Sequence, residues 1–211
     1  EDARQPEASI RNPEEVLKVW KIQPGLEHEP GTLYAGVEPA ALFKSTDRGQ
    51  TWMINQALYD HPHRPDWFPG AGGLCLHTIL PHPTDANQMW LAISTGGCYY
   101  TDDGGGSWTP RNQNVRADFL PDTLPEYGQC VHKIVSHPEN PQRLYQQNHC
   151  GMYRSDDGGR LWIDIGEGKL PSRFGFPLVV LPHEPETIFL VPEESDQFRV
   201  SVNFKFVGQE E

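Results

Sequence analysis

Two Cys-x-His pairs recur along the chain at an interval of 55 residues, and both residue types carry chemistry. Cys75 and His77 form the first pair, and Cys130 and His132 form the second pair. Side chains two positions apart on a strand point the same way. We therefore expect the four side chains to lie together, where two successive strands begin near the centre of the molecule.

Two thiols and two imidazoles could hold zinc tetrahedrally. The spacing of Cys75, His77, Cys130 and His132 matches none of the common zinc modules, however, and buried cysteine is often just a small apolar side chain. A histidine-lined pocket is therefore favoured over a metal site, and no cofactor is predicted. The residues predicted to contact a ligand are His77, His132, His149, Arg116 and Trp67.

Two long segments, 57–73 and 112–128, are rich in titratable side chains. Long loops on a rigid scaffold often carry binding residues, and glycosidases generally use two carboxylates about 5–9.5 Å apart. A solvated loop stiffened by proline is the competing interpretation. The candidates for catalysis in the second segment are Asp118, Asp122, Glu126 and Tyr127, and later acidic candidates are Glu193, Glu194 and Asp196.

The scaffold that positions these segments is indicated by an octapeptide that occurs three times. It reads STDRGQTW at 45–52, TDDGGGSW at 101–108 and SDDGGRLW at 155–162. Aspartate can accept hydrogen bonds from nearby backbone N–H groups, glycine suits a positive φ, and tryptophan can anchor a turn on a neighbouring sheet. The shared positions are therefore predicted to be structural: Asp47, Gly49, Trp52, Asp103, Gly105, Trp108, Asp157, Gly159 and Trp162.

The intervals between these copies, 56 and 54 residues, indicate a repeat architecture. Each repeat contains four short runs rich in β-branched and aromatic residues, which predicts an all-β propeller of four-stranded antiparallel blades. After a polar segment at 1–15, the predicted blades are 16–56, 74–111, 129–165 and 177–207. The fourth has no octapeptide, so we expect three complete blades and a partial fourth, from a larger propeller. His82 and His137 fall in predicted turns between first and second strands.

The octapeptide resembles the Asp box, or BNR repeat, of sialidases and sortilin-like domains. The wider pattern, over roughly residues 16–196, is similar to bacterial glycosyl hydrolase-like BNR proteins. The resemblance implies that the Asp boxes join the third and fourth strands of each blade, away from the ligand face. The arginine motif of sialidases is absent, and Glu126 and Tyr127 are adjacent where the sialidase pair comes from separate blades, which argues against sialidase activity.

These patterns predict a propeller that binds a carbohydrate or similar polar ligand opposite the Asp boxes, with glycoside hydrolysis as a further hypothesis. The alternative is a non-catalytic scaffold for a protein partner. The net charge of −12 argues against nucleic acid as a partner, and no apolar run reaches the ~18 residues of a membrane span. With no signal peptide visible, location is open, and the cytoplasm is slightly favoured.

Overall fold

The computed structural model describes residues 15–193 and 204–207, which form fifteen β-strands, one short α-helix and one 3₁₀ turn. Blade 1 consists of β1 (Lys18–Pro24), β2 (Leu33–Glu38), β3 (Ala41–Ser45) and β4 (Met53–Ile54). Blade 2 consists of β5 (Leu76–Pro81), β6 (Met89–Ile93), β7 (Gly97–Thr101) and β8 (Thr109–Pro110). Blade 3 consists of β9 (Val131–His137), β10 (Asn140–Asn148), β11 (Gly151–Ser155) and β12 (Ile163–Asp164). Blade 4 consists of β13 (Phe174–Leu181), β14 (Glu184–Glu193) and β15 (Phe204–Val207).

The strands of each blade pair antiparallel in chain order, so every blade is a simple meander. The first strands of successive blades are neighbours, because β1 contacts β5, β5 contacts β9 and β9 contacts β13. Sheets arranged with their first strands around a common centre form a propeller. The prediction of an all-β propeller is confirmed, with three four-stranded blades and a fourth of three strands among the described residues.

The two ends of each blade carry different connections between strands, because the strands alternate in direction. One end, which we call the turn face, holds the three octapeptide turns at 45–52, 101–108 and 155–162. The opposite end, the connection face, holds the segments that link blades and the turns between second and third strands. The first strands β5, β9 and β13 begin at the connection face.

Three apolar clusters fill the spaces between successive blades. The cluster between blades 1 and 2 includes Tyr34, Leu42, Leu76, Leu91, Tyr99 and Trp108. The cluster between blades 2 and 3 includes Trp90, Tyr100, Ile134, Leu144, Tyr153 and Trp162. A smaller cluster between blades 3 and 4 contains Tyr145, Met152, Leu178, Ile188 and Leu190. Burial of these large side chains is the main favourable contribution to blade association.

The octapeptide turns share one hydrogen-bond network. In the first copy, Ser45 Oγ donates to Asp47 Oδ1 at 2.8 Å and accepts from the Gly49 N–H at 2.8 Å. The N–H of the residue before the tryptophan donates to the aspartate in all three copies, at 2.9, 2.9 and 3.0 Å. The fifth residue adopts a positive φ, which is +84° at Gly49 and which glycine alone adopts without strain.

The tryptophans of the second and third octapeptides fasten each blade to the preceding one. The Trp162 indole N–H donates to the Arg111 carbonyl at 2.8 Å, and the Trp108 indole N–H donates to Asn55 Oδ1 at 3.0 Å. Trp52 differs, because its indole N–H donates within its own turn, to the Gly49 carbonyl. Trp108 and Trp162 are both buried, whereas Trp52 is half-buried.

Acid is expected to remove the contribution that the aspartate of each octapeptide turn makes to the stability of the fold. Hydrogen bonds, first from the Ser107 side chain, lower the pKa of Asp103 from 3.8 to about 2. Because this folded pKa lies below the unfolded value, the stabilisation is present above about pH 4 and disappears as pH falls through about 2. We therefore expect Asp103→Asn to lower stability at pH 7 and to match the wild type near pH 2.

Urea unfolding of the two proteins between pH 2 and 7 measures this difference. Asp102→Asn is the matched control, because it removes an adjacent exposed charge that lies outside the repeated network. An Asp103→Asn deficit that stays constant down to pH 2 would contradict a role for the ionised carboxylate.

Several predicted boundaries are corrected by the structure. The first predicted blade extends to residue 56, but its last strand, β4, ends at Ile54, because Asn55 Oδ1 accepts from the Leu58 N–H and caps helix α1 (Gln56–Tyr59). The segment 57–73 therefore contains most of this helix and a 3₁₀ turn at Arg64–Asp66. Within the described part of the chain, no helix has the length and apolar character needed to cross a membrane.

Other predictions fall partly or wholly outside the described residues. The last part of the predicted fourth blade, 177–207, is described only at Phe204–Val207, whose backbone pairs with β14. The candidates Glu194 and Asp196 and most of the segment 1–15 also lie outside the described ranges. The prediction that His137 lies in a turn is corrected, because it is the last residue of β9 and the turn to β10 holds only residues 138 and 139.

Candidate functional site

An irregularity in strand pairing recurs near the connection face in the first strand of all four blades. The register shifts across Trp20 in β1, across His77 in β5 and across His132 in β9. In β13 the shift spans Phe176 and Pro177. Such β-bulges place an extra residue in one strand, and they re-aim side chains at functional sites. Equivalent positions in four blades thus present one tryptophan, two histidines and one phenylalanine.

The two Cys-x-His pairs make different contacts, although both histidines lie at a bulge. Cys75 lies against its own blade, where its Sγ is 3.1 Å from Ser94 Oγ. His77 reaches in the other direction, towards blade 3, and its Nε2 lies 2.8 Å from the Val131 carbonyl oxygen. The ligand atoms of all four side chains therefore do not form the single cluster that was expected, and among the described residues Cys130 and His132 group with His149 instead. The bulge alone does not explain this, because Cys130 and His132 stay close across the same irregularity in β9.

His77 is held by the protein at both ring nitrogens. A carbonyl oxygen can only accept, so Nε2 carries the proton and donates to Val131. Nδ1 then accepts from the Thr78 hydroxyl at 2.9 Å. Burial is the main cause that lowers the pKa of His77 to about 4, so the ring is neutral at pH 7. A neutral ring with both nitrogens occupied ties blade 2 to blade 3 and offers no free polar atom to a ligand.

The second pair does form a group, together with His149. The ligand atoms of Cys130, His132 and His149 all lie within 4.8 Å of one another. Cys130 Sγ is 3.5 Å from His132 Nε2. The His149 backbone N–H donates to the Cys130 carbonyl at 2.9 Å, which fixes the β10–β11 turn beside the start of β9. Burial raises the pKa of the Cys130 thiol to about 11 and lowers the pKa of both imidazoles.

Aromatic rings surround these two histidines. The His132 ring stacks on Phe176 at 4.3 Å between centroids and meets the edge of Phe174 at 5.0 Å. His149 contacts Phe174 at 5.0 Å and Phe119 at 5.6 Å, both edge-on. Phe119 belongs to the segment 112–128, so this segment and blades 3 and 4 meet at one place on the connection face.

Trp67 lies in the core, which corrects the expectation that its ring faces a ligand. The residue is 5% exposed, and its indole N–H donates to the Tyr99 hydroxyl at 3.1 Å. His61 and His63 pack against Tyr99 in the same cluster. The segment 57–73 is thus anchored by its aromatic residues, and the exposed ring is Phe68, the next residue along the chain.

The candidates for catalysis make mostly local contacts. Arg116 forms an ion pair with Asp118 at 2.7 Å, and the Asp118 N–H donates to Cys150 Sγ. Asp122 Oδ1 accepts from the Leu124 N–H at 2.9 Å. These contacts hold both carboxylates and Arg116 within the segment 112–128.

Tyr127 and Glu126 join the two long segments. The Tyr127 hydroxyl donates to Asp66 Oδ2 at 2.8 Å, and its ring stacks on His63 at 3.9 Å. Glu126 contributes its backbone carbonyl, which accepts from the Asn112 side chain at 2.9 Å. The structure therefore gives both residues a role in packing the segment 112–128 on the segment 57–73.

Exposed aromatic side chains on the connection face were not predicted from the sequence. Trp20 is 44% exposed and Phe176 is 51% exposed, and both lie at the bulges. Phe68 and Phe119, from the two long segments, are also exposed. The repeated bulge can be inferred only from strand pairing, so the sequence could at most have indicated these residues by the unusual run Phe174-Gly175-Phe176.

Comparison with known proteins supports the fold more firmly than the activity. No protein-family model matches the chain. A curated relative, the "Probable oligoxyloglucan-reducing end-specific xyloglucanase" of Neosartorya fischeri, is 32% identical over 81 residues, which are 38% of this chain and 9% of that protein.

Two solved structures extend the comparison over most of the chain. The first, an ancestral GH74 enzyme, has a TM-score of 0.61 at 15% identity, over 83% of this chain and 22% of that one. The second, YCF48 bound to D1 peptide, has a TM-score of 0.52 at 17% identity, over 90% of this chain and 54% of that one. The chain thus spans about half of YCF48 and less than a quarter of the other two proteins. The similarity establishes a β-propeller fold like that of glycoside hydrolases of family GH74 and of YCF48.

Proposed function

We propose that this chain is part of a glycoside hydrolase-like propeller that binds a carbohydrate on its connection face. The observation that carries the proposal is the set of exposed aromatic rings at equivalent bulges, Trp20 in blade 1 and Phe176 in blade 4, together with exposed Phe119 against His149. Ligand sites combine apolar and aromatic surface with a few polar groups, and the apolar faces of sugar rings fit such surface. The curated xyloglucanase relative and the GH74 likeness make an oligoxyloglucan the first ligand to test.

The polar groups of the proposed site come from blade 3 and the segment 112–128. His132 and His149 remain in it, because they lie among the aromatic rings. Arg116 is exposed and pairs with Asp118, whose N–H donates to the Sγ of Cys150, the residue after His149. Arg116 therefore stays a candidate for ligand contact. His77 and Trp67 are left out, since the protein occupies their polar atoms.

The octapeptide turns belong to the same proposal. We infer that they are Asp boxes of the BNR type, because the shared hydroxyl–aspartate–glycine network recurs in all three copies. They stabilise the blades at the turn face and leave the connection face free for a ligand. The proposed propeller unit is 16–207, with blades at 16–56, 74–111, 129–165 and 177–207.

Titration with a xyloglucan oligosaccharide, followed by isothermal calorimetry, tests the binding proposal. We expect Trp20→Ala and Phe176→Ala each to weaken binding at least tenfold, about 1.4 kcal/mol, because each removes an exposed ring from the face. Leu161→Ala is the control, since this exposed side chain lies in an octapeptide turn on the opposite face. Equal affinity in the wild type and both aromatic variants would refute the proposed site.

Hydrolysis is a separate hypothesis with its own assay. A panel of aryl glycosides and oligoxyloglucans would reveal turnover, and the variants Asp118→Asn, Asp122→Asn, Glu126→Gln and Tyr127→Phe would then test the candidates. A catalytic carboxylate should lose activity on this change while retaining oligosaccharide affinity. Binding without turnover would identify a carbohydrate-binding propeller and exclude catalysis by this chain.

A protein partner is the second candidate function. It is favoured by apolar side chains that the long segments leave exposed, Phe68, Phe119 and Leu124, because exposed apolar surface often marks a contact site. The YCF48 structure provides a precedent for a peptide on a related fold. A Phe68→Ser and Leu124→Ser double variant that loses a captured partner but keeps oligosaccharide affinity would favour this function.

A further inference from the structure

The group Cys130, His132 and His149 has the donor set and compactness of a transition-metal site. A tetrahedral zinc ion bound by sulfur at about 2.3 Å and nitrogen at about 2.1 Å places its ligand atoms roughly 3.4–3.7 Å apart. Cys130 Sγ and His132 Nε2 already lie 3.5 Å apart. The remaining separations are at most 4.8 Å, so a small rotation of the exposed His149 side chain would complete the arrangement.

The hydrogen bonding of His132 suits a metal ligand. Its Nδ1 lies 2.7 Å from the Gly175 carbonyl oxygen, which can only accept, so Nδ1 carries the proton. The Nε2 lone pair is therefore directed at the Cys130 side. Histidines that bind metals commonly donate their other N–H to a carbonyl or carboxylate, which orients the ring and increases its basicity.

The backbone and the aromatic rings hold the three donors in place. Cys130 and His132 are positioned by the bulge in β9, and His149 is tied to Cys130 through its backbone N–H. Phe174 and Phe176 pack on His132, and Phe174 also packs on His149. The corresponding pair in blade 2 lacks this arrangement, because Cys75 contacts Ser94 and His77 contacts Val131.

We propose that Cys130, His132 and His149 bind a divalent transition metal of the zinc type through one sulfur and two nitrogens, leaving the fourth position open on the connection face. One thiolate and two imidazoles match the preferences of Zn²⁺ and Co²⁺ rather than those of Ca²⁺ or Mg²⁺, which take oxygen ligands. An open fourth position next to exposed Phe176 would let the ion contact water or a ligand oxygen. The proposal does not depend on the identity of the carbohydrate.

Co²⁺ titration of the chelator-treated, reduced protein tests the site spectroscopically. We expect one equivalent to produce thiolate-to-cobalt charge-transfer absorption and visible bands of tetrahedral intensity, which Zn²⁺ then abolishes by displacement. Cys130→Ser should lose the charge-transfer band, and His149→Ala, which changes an exposed side chain, should weaken binding at least tenfold.

Cys75→Ser is the matched control, since it alters the equivalent cysteine of blade 2 and should leave the titration unchanged. Circular dichroism of each variant shows whether it is folded, and His149→Ala keeps the test valid if Cys130→Ser unfolds. Absence of stoichiometric Co²⁺ or Zn²⁺ binding in the folded wild-type chain would overturn the proposal. The same affinity in folded Cys130→Ser and His149→Ala as in the wild type would also overturn it.

Discussion

Trp162→Ala is expected to lower the free energy of unfolding by about 3–5 kcal/mol, the usual cost of truncating a buried tryptophan. The Trp162 side chain is fully buried between blades 2 and 3, with 0% exposure. The variant would leave a cavity in that cluster and deprive the Arg111 carbonyl of its indole donor. Urea unfolding at neutral pH measures the loss.

Trp52→Ala is the matched comparison, because Trp52 occupies the same position in the first octapeptide. Its side chain is half-buried and its indole N–H bonds within its own turn, so we expect a loss well below that of Trp162→Ala. Equal losses would contradict the view that these tryptophans act by fastening successive blades, and would indicate that they matter only within their turns.

His77 is expected to make the protein sensitive to mild acid. Its pKa falls from 6.5 to about 4 on folding, chiefly through burial. Between these values the unfolded chain binds a proton that the folded chain does not, so stability decreases as pH falls from about 6.5 to 4. The shift corresponds to about 3 kcal/mol at 1.36 kcal/mol per pKa unit.

The effect is isolated by comparing the wild type with His77→Gln at each pH, because carboxyl groups titrate equally in both. We expect the variant to be less stable at pH 7 and the difference to shrink by about 3 kcal/mol at pH 4. His183→Gln, in the exposed turn between β13 and β14, is the control for replacing a histidine at the surface. A constant difference between the wild type and His77→Gln would show that His77 is not held neutral in the fold.

The octapeptides made the fold predictable, because their chemistry is local. A hydroxyl, an aspartate and a glycine at fixed spacing determine a turn without help from the rest of the chain, and their near-equal intervals set the blade size. The error in the predicted end of blade 1 also arose from a local feature, the helix that follows β4. The cap at Asn55 is visible in the sequence, but a four-residue helix has too little periodicity to distinguish it from a loop.

The site was less predictable, because it depends on pairing between strands. The sequence correctly placed Cys130 and His132 where a first strand begins, and it included His149 among the residues predicted to contact a ligand. It did not reveal the bulge at His77, where one extra residue turns the ring towards Val131. Nor did it show that Trp67 is buried while Phe119 and Phe176 are exposed, because burial follows from how the long segments fold back onto blades 2 and 3.

The central claim is that a ligand binds at the connection face. Hydrogen exchange with and without a saturating oligoxyloglucan tests this claim most directly. We expect slower exchange at the starts of β9 and β13 and in the segment 112–128, around His132, Phe119 and Phe176. We expect no change in the octapeptide turns at 45–52, 101–108 and 155–162. Protection confined to those turns, or none anywhere on the chain, would contradict it.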